Sequence, residues 1–79
     1  MKEDEKELAL VILDASGKGV PPGFLGELWW MDRGYPDKRF YSLLAKWARK
    51  GWWEYGVSLR GGWLTDVGRA ALAAATSPT

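Results

Sequence analysis

Between Pro36 and Lys50 the chain reads "PDKRFYSLLAKWARK", and this is where its polar side chains are arranged to do something. At about 100° per residue, Lys38, Ser42, Ala45, Lys46 and Arg49 project to one side of a helix, with Arg39 and Tyr41 flanking them. Ammonium, guanidinium and hydroxyl groups in such a stripe supply hydrogen-bond donors to anionic oxygens. The surrounding charge sharpens the point. Residues 33–50 carry Arg33, Lys38, Arg39, Lys46, Arg49 and Lys50 against Asp37 alone, whereas residues 1–32 are net acidic and the remainder balances. A single-signed block inside a chain of net charge +1 suggests an anionic partner. Most charged helix faces are simply solvated surface. That alternative is weakened here because the block is almost purely cationic.

Other chemistry is thinly provided. The 79 residues contain no cysteine and no histidine, which removes disulfides, thiolate nucleophiles, imidazole acid–base catalysis and nearly all zinc chemistry. The acidic residues crowd the segment 3–7, where they complement a helix dipole rather than form a carboxylate pair for catalysis. Gly17, Gly19 and Gly23 lack the Lys-Ser/Thr ending and the preceding strand of a phosphate-binding loop. We therefore expect no enzyme, no cofactor and no metal. The longest apolar run, Leu8 to Leu13, is far shorter than a bilayer span, and it follows acidic residues where a secretory signal would be basic. A cytoplasmic protein without membrane contact is expected.

Positioning the cationic stripe requires a fold. The length allows one domain, 1–79, with a thin stability margin. Six tryptophans supply much of the core, since each buried aromatic removes roughly 150–250 Å² from water. Leu8, Val11, Ile12 and Ala15 predict a first helix from about Glu3 to Ala15, with Leu10 and Leu13 forming a second apolar face. "SGKGVPPG" breaks it. A second helix starts near Pro22 with Phe24, Leu25, Leu28 and Trp29 as its inward stripe. Phe40, Leu43, Leu44, Trp47 and Ala48 give the third helix one buried face, and Gly51 ends it. "WWEYGV" and "GWLT", separated by "SLRG", predict a hairpin. Thr65 caps a last helix, Asp66 to Ala75, and residues 76–79 are an expected frayed tail. Trp29, Trp47 and Trp52 are assigned to the core, Trp30, Trp53 and Tyr55 to partial exposure, and Trp63 is left open.

This order resembles a winged helix-turn-helix: mainly α, with a three-helix core, a two-stranded wing and a C-terminal helix. The likeness over residues 8–75 is to MarR- and PadR-type bacterial regulators. It is carried by Leu44, Trp47 and Gly51, by the apolar strand at Trp52 and Trp53, by the wing Arg60-Gly61-Gly62, and by "WLTDVGRAAL" from Trp63 to Leu72. Tryptophans stand where that family has small aliphatics, and its long dimerisation helices have no counterpart in these residues. The resemblance implies a sequence-specific double-stranded DNA-binding protein, a small bacterial or phage transcriptional regulator that is nucleoid-associated when bound. Helix 36–50 would read the major groove and wing 58–62 would contact backbone or minor groove. The implied contacts are Lys38, Arg39, Tyr41, Ser42, Lys46, Arg49 and Arg60, with Lys50 and Arg33 adding phosphate bonds. The alternative is a winged-helix protein–protein module that uses exposed wing aromatics. A homodimer or protein partner would use helix 1, helix 4 or those aromatics.

Overall fold

Alternation between apolar spacing and glycine–proline punctuation divides the chain where the sequence suggests. The computed structural model describes residues 1–76. Helix α1 spans Glu3–Ala15, α2 Pro22–Asp32, α3 Asp37–Arg49 and α4 Asp66–Thr76. Two short antiparallel strands, β1 Trp53–Glu54 and β2 Trp63–Leu64, pair in the register Trp53 with Leu64 and Glu54 with Trp63. The protein is thus mainly helical with a small hairpin. Of the expected frayed tail, Thr76 closes α4 and residues 77–79 lie outside the described residues. No helix among the described residues is long and apolar enough to cross a membrane.

The first turn of α1 is tied back by its own acids. The Glu5 carboxylate accepts a hydrogen bond from the Lys2 backbone N–H at 3.3 Å, which satisfies a donor the helix leaves unpaired. Leu8, Ala9 and Ile12 then enter the core, where they meet Trp30, Phe40, Leu44 and Trp47, all without solvent exposure. Helix α3 buries Phe40, Leu43, Leu44 and Trp47, the face its spacing predicts, and Gly51 follows it with φ +76°. At α4 the cap is in place: the Gly68 N–H donates to Thr65 Oγ1 at 3.0 Å, while that hydroxyl donates to the Gly51 carbonyl at 2.6 Å.

Helix α2 departs from its predicted phase. It turns Pro22, Gly23, Gly26 and Trp30 inward, whereas Leu28 is 62% exposed and Phe24, Leu25 and Trp29 are half-buried. Small residues let the helix approach closely, and Gly26 lies directly against Ile12 and Leu8. Trp30 is accordingly core rather than surface. Its indole N–H donates to the Pro36 carbonyl at 2.9 Å, and Tyr35 and Phe40 pack against its ring.

The hairpin also departs. Trp53 is buried against Trp47 and donates to the Leu59 carbonyl at 2.8 Å, so its expected exposure is wrong; Trp52 is half-buried instead of core. Trp53 and Leu64 share the inner face of the hairpin, whereas Trp52, one residue ahead of β1, packs against the edge of the core with Lys50 over its ring. The loop from Tyr55 to Ser58 is exposed throughout, and Tyr55 is exposed as expected. The chain then turns back in a 3-10 turn, Leu59–Gly61, docked on α2. There the Gly23 N–H donates to the Gly62 carbonyl at 3.2 Å, and a Cβ on Gly23 would collide with the Arg60 carbonyl.

Candidate nucleic-acid interface

The outermost strip of α3 is made by Lys38, Ser42, Ala45 and Arg49, which recur at four, three and four residues and so share one side of the helix. Lys38, Ser42 and Arg49 are exposed. Among the described residues no acid pairs with Lys38 or Arg49. At 1.5 Å per residue the two cations stand roughly 16 Å apart along the axis, with only a hydroxyl and a methyl group between them. That profile, small in the middle and cationic at the ends, can lie against a groove flanked by phosphates.

The flanks of α3 are occupied differently. Towards α1, Arg39 bonds Asp4 at 2.7 Å and stacks over Trp30, with 5.9 Å from guanidinium carbon to ring centroid. Lys46 bonds the buried Glu5 at 3.3 Å, and the Trp47 indole donates to the same carboxylate at 2.6 Å. Burial alone would push the Glu5 carboxyl up. The bonds from Trp47, the Lys2 backbone and Lys46 outweigh it and hold the group below its ordinary value.

On the other flank, Glu27 of α2 joins three elements. Its carboxylate accepts from the Tyr41 hydroxyl at 2.7 Å and from Arg60 at 3.1 Å. The Glu27 bond is the main reason that the Tyr41 phenol is raised above its ordinary value. Arg60 also lies over the Phe24 ring at 5.2 Å. Arg60 with its glycines is therefore folded onto α2 and does not reach outward, because the turn that carries it is docked there. Of the other cations, Arg33 pairs with Glu7 and covers Trp29, and Lys50 covers Trp52.

Lys38, Ser42 and Arg49 thus share one open strip, whereas Arg39, Tyr41, Lys46 and Arg60 sit beside it in contact with acids. The sequence reading missed Asp4, Glu5 and Glu27 as the residues that make this division. Glu27 carried a signal, as the one carboxylate inside an apolar stretch from Phe24 to Met31. Glu5 carried none, because it lies in an acidic run that looks uniformly solvated. Comparison with protein-family models, with curated proteins and with solved structures gave no match to this chain.

Proposed function

We propose that this chain is a winged helix-turn-helix protein that binds double-stranded DNA, laying α3 in the major groove as small bacterial or phage transcriptional regulators do. The observation that carries the reading is the open strip of α3, in which Lys38 and Arg49 pair with no acid among the described residues. Ser42 can bond several base edges, Ala45 can contact a thymine methyl, and the two end cations can bond guanine acceptors or phosphates. The element order supports it, with α2 and α3 as the helix pair and the loop Tyr55 to Ser58 as a short wing. Arg39, Lys46, Tyr41 and Arg60 belong to the same face. Each contacts DNA only by sharing or leaving its acid.

Titration of labelled duplex at two salt concentrations tests this. Binding should weaken steeply with salt, and Lys38→Ala/Arg49→Ala should lower affinity and reduce the log–log salt slope by about two units if both cations bond phosphate. No binding at low salt, or a double variant indistinguishable from the parent protein, would end the proposal.

A further inference from the structure

The molecule covers its tryptophan rings with its own side chains. Arg33 lies over Trp29 at 5.2 Å, Arg39 over Trp30 at 5.9 Å and Lys50 over Trp52 at 4.6 Å, while Trp47 and Trp53 pack on each other. Trp63 is the exception among the described residues. It is 43% exposed and has neither a cation nor a ring against it. Its register places it opposite Glu54 on the outer face of the hairpin. Trp63, Glu54 and Leu64 line an open cleft of about 440 Å³ together with Asp66, Val67 and Arg69 of α4, a space for one or two side chains. Val67 is exposed, and among the described residues neither Glu54 nor Asp66 is in an ion pair, even though Arg69 shares the rim. The walls are held in place by Thr65, which bonds both Gly51 and the first turn of α4.

An uncovered indole in a cleft rimmed by two carboxylates, Glu54 and Asp66, against the single cation Arg69 is net negative and complements a cation. The negative face of the ring attracts it, the carboxylates neutralise it, and Val67 gives its aliphatic stem an apolar wall. We propose that this cleft is a docking site for an arginine- or lysine-bearing segment of a partner protein, with the cationic side chain over Trp63 between Glu54 and Asp66. The site lies on the hairpin and α4, not on α3, so it stands or falls separately from DNA binding.

The test is an NMR titration of the indole N–H resonances with a blocked pentapeptide carrying two arginines, and with its citrulline counterpart as a neutral control. The Trp63 signal is identified by its loss in Trp63→Phe. It should shift saturably with the arginine peptide and not with the citrulline one. Glu54→Gln/Asp66→Asn, which keeps the shape of the cleft, should weaken binding by about fivefold or more, and Trp63→Ser likewise, with circular dichroism unchanged. An unmoved Trp63 signal, or equal shifts from both peptides, overturns the proposal. A Trp63 signal that instead moves with protein concentration while the sedimenting mass doubles would assign the cleft to a second copy of the chain, and would also overturn it.

Discussion

Glu5 shows how one side chain can change the meaning of its neighbours. It is fully buried, yet its carboxylate collects the Trp47 indole, the Lys46 ammonium and the Lys2 backbone N–H. Its pKa is lower in the folded state than in the unfolded chain, so the stability it contributes is complete above the ordinary value of about 4.5 and is lost as pH falls through the folded value. Glu5→Gln should therefore flatten the acid limb of a stability-against-pH curve measured by urea unfolding. Glu5→Leu should cost about 1–3 kcal/mol at neutral pH, since it leaves the buried Trp47 N–H without an acceptor. An acid limb unchanged in Glu5→Gln would assign the acid sensitivity to other carboxylates. Tyr41 makes the same point at high pH. Its neutral form is favoured by Glu27, so the stability it contributes is complete below about pH 10 and declines as pH rises through the raised folded value. In an ultraviolet titration, Glu27→Gln should move the tyrosine that ionises late to lower pH.

Among the elements, α3 was legible because its apolar and charged faces are sharply separated, and α1 and the Thr65 cap were legible from spacing and residue type. Helix α2 was not. Phe24, Leu25, Leu28, Trp29, Trp30 and Met31 place apolar groups all around it, so periodicity cannot choose its inner face; Gly23 and Gly26 do, by allowing close approach to the Leu59–Gly61 turn and to Ile12. The same blindness affected α4. Gly68 reads as a weak point in an alanine-rich helix, yet it is the position where α4 rests on the Trp52 carbonyl, and a Cβ there would strike that oxygen. Gly68→Ala should therefore destabilise the protein by roughly 1–3 kcal/mol, against the gain of up to about 1 kcal/mol that helix propensity alone predicts. Thermal unfolding followed at 222 nm decides the sign, and a stabilised variant would mean that α4 can shift outward at little cost.

At the scale of the whole molecule, the sequence displayed a cationic block but not its neutralisation, because Asp4, Glu5 and Glu27 reach Arg39, Lys46 and Arg60 only through the tertiary fold. The acids of α1 and α2 hold the flanks of α3 and leave its outer strip open. On the DNA-binding proposal, these ion pairs compete with phosphate for the same cations. The Arg39 and Arg60 guanidiniums are partly exposed, so a phosphate can reach and share them, whereas Lys46 is tied to the fully buried Glu5, whose carboxylate would lose its cation if Lys46 moved away. Asp4→Asn/Glu27→Gln frees Arg39 and Arg60 and should tighten duplex binding and steepen its salt dependence. The matched control is Asp14→Asn/Asp32→Asn, which makes the same charge change at exposed acids that, among the described residues, form no ion pair with α3 or the Leu59–Gly61 turn. If the freed cations enter the interface, the log–log slope of the first variant should exceed that of the control by about one unit for each. Equal slopes in the two variants would show that Arg39 and Arg60 remain structural, and would leave any DNA contact to Lys38, Ser42 and Arg49.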